Sequence, residues 1–471
     1  MGSANKQSSH SDFVYSNWAK TFTCRPEVYH EPKTEEDIVG IIRQARQEKR
    51  TVKVFGAGHS PSDLPCCEGY MLNMDKMNRV LEVDTEMCTI TVEAGMRLQE
   101  LNAVLHKHGM ALSVLGAISE QSIAGAIATA THGTGTQFNT LSSMVQWIRL
   151  INGKGEIMEC SSTLQPELFA AARCHLGALG IITQVTLQCE KAFRLESQQR
   201  PVAYEDMVNH FDELVESAEH VKFLWFPYHD RVTICQLNRT SAPKELPVAP
   251  PLVIQNQQRV EYEMNLYKCR FNPNLLPEVE QQYWDRHMAQ PIRAVDDSFR
   301  LFNFDCMFLQ YTSEWAVPRD DATRALAQVK NLISKARYPI HFPIEVRVVK
   351  HDDIWLSPCY QRDTCYIGVV IYKPFNAPVP YRNLLEDYEQ VMRAHNGRPH
   401  WAKYHCMTYE DLAATYPKLD SFMRVRLSMD PDNLFMNDYL KRHLLPGGKP
   451  KYPVESDLAY QLADHPIKSQ L

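Results

Sequence analysis

The sequence predicts an α+β protein of more than one structural unit, and three observations carry that prediction. Helix and strand signals come in separate blocks, with isolated hairpins instead of a regular strand–helix–strand alternation. The first third is dense in clean cap, strand and turn signals, whereas the middle turns to proline-rich and aromatic-rich stretches. The chain also has 471 residues, more than one hydrophobic core ordinarily serves, so two or three domains are expected.

The elements follow in chain order. Thr34 opens a helix by capping-box logic, with Glu35, Glu36 and Asp37 in its first turn. Ile38, Ile41, Ile42 and Ala45 supply its apolar stripe, and Lys49 and Arg50 close it at the favourable dipole end. A strand follows at Val52–Phe55, then a hairpin-like pair around Val80–Val83 and Thr89–Val92. Leu98, Leu101, Val104 and Leu105 mark a helix that ends at Gly109. Asn152-Gly153-Lys154-Gly155 turns one strand into another. A helix from Pro166 and a glycine-rich strand over Leu176–Gln188 complete the first block. Ala242–Gln258 reads as a loop or exposed connection, flanked by aromatic strands at Val221–Tyr228 and Leu301–Tyr311. A helix after residue 318, strands at Ile344–Val349 and Cys365–Lys373, and polar helices finish the chain.

Composition narrows the class. With 44% hydrophobic and 23% charged residues the bulk should fold, and a net charge of -6 gives no pull toward nucleic acid or anionic membrane. The 13 cysteines contain no CxxC and suit reduced thiols in a reducing compartment. Residues 1–12 are polar, lack an apolar signal region and are expected to be disordered. No run approaches the roughly 18 apolar residues that span a bilayer, so a soluble, cytoplasmic chain is expected. The terminal Ser469-Gln470-Leu471 resembles a peroxisomal signal, with Gln470 in place of its basic residue.

The strand Val52–Phe55 runs into Gly56-Ala57-Gly58 and then His59 and Ser60. A P-loop would need GxxxxGK[ST], and a Rossmann turn would need a third glycine and an immediate helix. Pro61 and Pro65 prevent that helix, so both are rejected. Successive backbone N–H groups among small residues can still form an anion-binding nest. A second stretch, Gly116–Gly135 ("GAISEQSIAGAIATATHGTG"), packs hydroxyls and four glycines among isoleucines. Backbone wrapped closely around a large phosphate-bearing ligand accounts for that mixture; a tightly packed Gly/Ala helix is the alternative.

These two stretches, with "LGALGIIT" (176–183), resemble the FAD-binding domain of the vanillyl-alcohol-oxidase type. "IEVR" (344–347), "RPHWAK" (398–403) and "DPDNLFMNDYL" (430–440) resemble the aldonolactone oxidases of that superfamily, and the similarity covers most of the chain. The resemblance implies a two-subdomain PCMH-type FAD-binding domain over residues 13–195. An α+β substrate (cap) domain with a mixed or antiparallel sheet would span 196–445, its C-terminal end returning to the flavin, with a tail at 446–471. One region departs: animal members carry a strongly apolar, membrane-associated middle segment, and this chain is polar there. Peripheral membrane association, at the endoplasmic reticulum for instance, therefore stays open, and oligomeric state is not legible.

The resemblance also assigns the site. Phe55, Gly56, Ala57, Gly58, Ser60, Gly116, Ser119, Ser122, Gly125, Ala126, Thr131, His132, Gly133 and Ile182 would bind FAD, and His59 would attach covalently to the flavin 8α-methyl. An imidazole nitrogen is a competent nucleophile toward such a carbon. Glu345 and Arg347, two apart in a strand, leave one face together and can hold a substrate hydroxyl. Lys403 would stabilise the anionic reduced flavin. His400 either assists proton removal or orients its neighbours. The implied reaction is hydride transfer from C2 of a sugar 1,4-lactone, first of all L-gulono-1,4-lactone, to flavin N5, ending in ascorbate and H₂O₂. The base is Glu345 or Lys403. Gly116, where a methyl would obstruct O₂, favours an oxidase. D-arabinono- or L-galactono-lactone oxidase, alditol oxidase and a non-catalytic flavin protein are the alternatives. No metal is expected, since His400 and His405 have neither zinc spacing nor a nearby carboxylate.

Overall fold

The computed structural model describes residues 12–336 and 339–453. The disordered start expected over residues 1–12 falls almost wholly outside that range, as does the Ser469–Leu471 signal. Three sheets organise the chain. Val28–His30, Tyr70–Asn73 and Val52–Phe55 form a small parallel sheet, with Tyr70–Asn73 central. Ile157–Ser161, Val145–Ile151, Ile181–Gln188, Thr89–Glu93 and Val80–Asp84 form an antiparallel sheet in that order.

The third sheet is antiparallel and eight-stranded. Its order is Ile292–Asp297, Arg194–Ala203, Arg231–Thr240, His220–Phe226, Ile344–Val349, Thr364–Tyr372, Gln310–Pro318 and Arg398–Pro399. The central strands are buried on both faces, which is why Thr364–Tyr372 reads as a nearly continuous apolar run.

Local chemistry places the early elements as expected. Thr34 and Asp37 make the reciprocal capping box of the helix Glu35–Gln47, and Ile38, Ile41, Ile42 and Ala45 are its buried residues. Removing each isoleucine from water contributes about 1.5–3 kcal/mol. The helix Leu98–Lys107 ends before Gly109, whose φ of 69° is open to glycine at no steric cost.

Three expectations need correction. The strand expected from Leu176 begins at Ile181, because Leu176, Gly177 and Gly180 adopt positive φ and make a turn. Ala242–Gln258 is a loop only in its first half: Pro251 caps a helix that runs Leu252–Cys269. Prolines 247, 250 and 251 stand before that helix, where their missing N–H groups cost nothing. Leu301–Tyr311 is not a strand either. A short helix, Ser298–Phe302, gives way to a loop, and the strand starts at Gln310. Among the described residues no helix is long and apolar enough to cross a membrane.

Gly116–Gly135 joins the two halves of the molecule. Its only helix is Ile123–Ala128. Downstream, Gly135 bridges Val349 in parallel and its N–H donates to Val348 O at 2.7 Å. The C-terminal residues return to the first half: Val52 N donates to Leu434 O at 2.8 Å, and the Asn437 amide donates to Leu64 O and Cys66 O, both at 2.9 Å.

Candidate active site

The glycine loop and the Gly116–Gly135 segment line a partly open cavity. Of the residues singled out from sequence, Phe55, Gly56, Ala57, Gly58, His59, Ser60, Ser122, Gly125 and Ile182 face it. Two glycines are required by geometry. A Cβ on Gly56 would stand 2.1 Å from Ser122 Oγ, and Gly58 has φ of 67° with Tyr15 against it. His59 is half-buried and stacks on Trp18 with ring centroids 5.6 Å apart. Burial lowers its pKa, so the ring is biased toward the neutral, nucleophilic form.

Sequence reasoning missed Lys53 and His175 on the same wall. Lys53 Nζ donates to Gly177 O at 3.2 Å, and burial lowers its pKa to about 8. His175, lowered by burial to about 3, donates or accepts nothing through Nε2. A lysine inside an apolar strand is the one sequence trace of the first; the second leaves none.

A second, smaller pocket lies on the sheet side. Gly116 and Gly133 line it together with His220, Lys222, Phe304, Glu345 and Arg347. The remaining predicted residues support its wall. Ser119 Oγ donates to Asn303 Oδ1, and the Asn303 amide donates to Gly116 O at 3.0 Å. Thr131 is buried with its hydroxyl unpartnered, and Ala126 packs in the core. His132 stacks on Tyr366 at 3.5 Å.

Glu345 and Arg347 share one face as the strand period requires, with Arg347 Nη2 3.4 Å from Glu345 Oε2. The arginine is held more closely by Glu314, at 2.6 Å, from the strand Gln310–Pro318. Strand register explains the meeting. Gly368 pairs with Glu345 on one side and with Glu314 on the other, which brings the two carboxylates to neighbouring positions across the sheet. Glu345 Oε1 and Arg347 Nε have no partner. One carboxylate is therefore committed to the guanidinium and the other keeps a free oxygen.

Glu314 also stands 3.3 Å from His132 Nε2, and with His400 the three ligand atoms lie within 4.8 Å of one another. His400 thus has the carboxylate neighbour that its local sequence lacks. The countercharge present is Arg347. Burial opposes ionisation of Glu314, but Arg347, then His132 and Lys403, outweigh it and hold the carboxyl well below the usual range. Burial, ahead of its neighbours' charges, lowers His400 to about 3, so it is neutral at working pH. Lys403 N donates to His400 O at 2.8 Å, and His400 N donates to Glu314 O at 2.9 Å, which fixes this segment to the sheet edge. Lys403 lines neither pocket, although its charge acts on both His59 and Cys306.

The residues fit FAD. The large cavity offers a bare-backbone cradle around Gly56, a buried cation at Lys53, and unpartnered buried polar atoms at Gln121 Oε1 and His175 Nε2. A family model described as "FAD binding domain" matches residues 26–161. Cholesterol oxidase from Brevibacterium sterolicum has the same fold, with a TM-score of 0.79 at 18% identity, covering 94% of this chain and 98% of that one. Fold and site together define an FAD-dependent oxidoreductase of PCMH-type architecture. The remainder of the chain narrows the class further. A model described as "D-arabinono-1,4-lactone oxidase" matches residues 185–443. An L-gulonolactone oxidase of Scyliorhinus torazame is 39% identical over 91% of this chain and 98% of its own. An L-gulono-1,4-lactone dehydrogenase of Mycobacterium tuberculosis is 34% identical over 92% and 99%. The chain belongs to the aldonolactone oxidase family of flavoprotein oxidases.

Proposed function

We propose that the enzyme oxidises the C2 hydroxyl of a sugar 1,4-lactone, L-gulono-1,4-lactone before others, with O₂ as acceptor and ascorbate and H₂O₂ as products. Residues 13–195 would hold the cofactor, tethered through His59, and residues 196–445 would hold the substrate. FAD, when bound, supplies the acceptor for the C2 hydride and the means of passing the electrons to O₂. The observation that carries the reading is the pair of carboxylates around one buried arginine, with Glu345 Oε1 and Arg347 Nε both unpartnered in the smaller pocket.

Glu345 takes the C2 hydroxyl proton on its free oxygen, so it, and not Lys403, is the base. Arg347 donates from Nε to a substrate oxygen while its Nη2 stays with Glu314, which keeps the guanidinium from closing fully onto the base. Glu314, ionised and buried, holds that arrangement together with His132. Neutral His400 orients the segment that carries Lys403, whose fixed charge favours negative charge developing on the cofactor. Phe304, latched through Asn303 to Gly116, excludes water from the mouth. Thirteen free cysteines support a reducing compartment such as the cytoplasm.

The test follows O₂ uptake with L-gulono-, L-galactono- and D-arabinono-1,4-lactone and xylitol. Fastest uptake with the gulono-lactone supports the reading. Fastest uptake with D-arabinono-lactone would move the substrate to the one named by the 185–443 match. Flavin bleaching without uptake would overturn the oxidase assignment.

A further inference from the structure

One ring on the wall of the smaller pocket carries a polar atom that the chemistry above leaves unused. His220 opens the strand His220–Phe226 and lines the pocket with Lys222, two residues on and therefore on the same face. The ring is fixed from three sides. Phe138 stacks on it with centroids 4.1 Å apart, Phe302 meets it edge-on at 4.8 Å, and Nδ1 lies 2.8 Å from Thr134 O. A carbonyl oxygen only accepts, so Nδ1 carries the proton and donates. Thr134 belongs to the Gly116–Gly135 segment, so the backbone that lines both cavities also sets the orientation of this imidazole.

The tautomer decides what the other nitrogen can do. In a neutral ring protonated at Nδ1, Nε2 is a bare acceptor. Burial lowers the pKa to about 4, which keeps the ring neutral near pH 7. The residue is 0% exposed and Nε2 has no partner, an unfavourable state until a ligand brings a donor to it. Lys222 does not supply one: its ammonium lies over the Phe304 ring, 4.3 Å from the centroid. Strand register gives the position of the nitrogen relative to the base. Leu224 pairs with Glu345 and Lys222 with Arg347, so His220 is the next place on that face, roughly 7 Å farther from Glu345 than Lys222 is.

We propose that His220 Nε2 accepts a hydrogen bond from the C6 hydroxyl of the lactone and so selects six-carbon over five-carbon 1,4-lactones. The assignment deepens the proposed function and rests on it. With C2 held at Glu345, the carbons outside the lactone ring are the part of the substrate that extends along the face toward His220. A six-carbon lactone carries C5 and C6 there, each with a hydroxyl, whereas a five-carbon lactone ends at C5. The longer chain brings a donor to the buried nitrogen; the shorter one leaves it without a partner. A site that is built to receive a hydroxyl rejects the analogue lacking it, because its own buried polar atom then stays unpaired.

The test measures steady-state oxidation of L-gulono- and D-arabinono-1,4-lactone by holoenzyme, with O₂ or an artificial electron acceptor, in the parent, His220→Phe and His220→Gln. Both variants lose the donor to Thr134 O, so that cost is shared, and only glutamine keeps an acceptor near the place of Nε2. His220→Phe should lower kcat/KM for the gulono-lactone roughly 10–30-fold, mainly through KM, and for the arabinono-lactone by no more than about twofold. His220→Gln should recover most of the loss. The parent given 6-deoxy-L-gulono-1,4-lactone should lose the same factor, and this arm decides the question with no change to the protein should a variant fail to fold. Equal loss on both lactones, a loss that glutamine does not recover, or full activity on the 6-deoxy-lactone would each overturn the proposal and leave lactone oxidation standing. A parent that oxidises neither lactone would overturn the proposed function and this assignment with it.

Discussion

Replacing Glu345 and Glu314 one at a time by glutamine separates proton acceptance from charge support. In Glu345→Gln the arginine loses a partner at 3.4 Å but keeps Glu314 at 2.6 Å, and the lost carboxylate had one oxygen without a partner. Folding stability should therefore change by no more than about 1 kcal/mol. The proton acceptor is gone, however, and kcat/KM should fall about 10²–10⁴-fold, equivalent to roughly 3–5 kcal/mol of barrier. Glu314→Gln reverses the balance. It removes the nearer partner of an arginine only 8% exposed, and breaking such a buried pair costs about 3–5 kcal/mol of stability.

Acid titration supplies a second sign. Glu314 is held well below the ordinary 4.5 in the folded protein. Its contribution to stability is thus present above pH 4.5 and is lost as the pH falls below that toward the folded value, and Glu314→Gln should flatten this acid limb. The assays are lactone-driven flavin bleaching in anaerobic stopped flow and urea unfolding across pH. Near-parental bleaching by Glu345→Gln, or a Glu314→Gln protein that is as stable as the parent and loses activity first, would refute this division of roles.

Three further outcomes are expected. His59→Ala should still fold, but its acid-precipitated pellet should be colourless with flavin in the supernatant; a yellow pellet would place the tether elsewhere. Gly116→Ala puts a Cβ 2.8 Å from the Thr131 side-chain methyl, which can rotate away, so anaerobic bleaching by lactone should persist while reoxidation by O₂ slows several-fold. Unchanged reoxidation would show that O₂ takes another route. Burial raises Glu389, which accepts from Cys406 N at 2.8 Å, to about 7. That carboxyl favours the fold fully below pH 4.5 and loses this contribution as pH rises through 7. The gap is worth about 3 kcal/mol, and Glu389→Gln should remove that slope in urea unfolding.

What was legible in the sequence depended on how locally each feature is encoded. Glu345 and Arg347 are two residues apart, so the strand period alone puts them on one face. The glycine loop is continuous, and its small residues report close backbone approach wherever they occur. Glu314 is 31 residues before Glu345 and meets it only through two strand pairings across Gly368. Its one local trace is a carboxylate directly before the apolar run Trp315-Ala316-Val317 in the buried strand Gln310–Pro318. The aromatic run Leu301–Tyr311 also hid where that strand begins. Asn303 and Phe304 leave the sheet to bind Gly116 O and Ala117 O, contacts that no periodicity announces. The helix Leu252–Cys269 escaped for a different reason: only Tyr262, Leu266 and Cys269 are buried, so it shows no strong apolar period.

The Gly116–Gly135 segment explains why so many small residues fall together. Ser122 and Gly125 face the larger cavity, whereas Gly116 and Gly133 face the smaller pocket. A Cβ on Gly133 would lie 2.3 Å from Val114 Cγ2 and 2.5 Å from Leu115 O, so that position has no room for a side chain. The larger cavity and the smaller pocket thus share one piece of backbone, tied to the sheet at Gly135. Under the proposed function, side chains that vary substrate preference come from the remaining wall, where His220 and Lys222 belong to a strand that lines the smaller pocket and not the larger cavity. Lys222, paired in register with Arg347 and lying over Phe304 at 4.3 Å, is the residue there whose exchange changes the pocket's charge without disturbing the carboxylate–arginine triad.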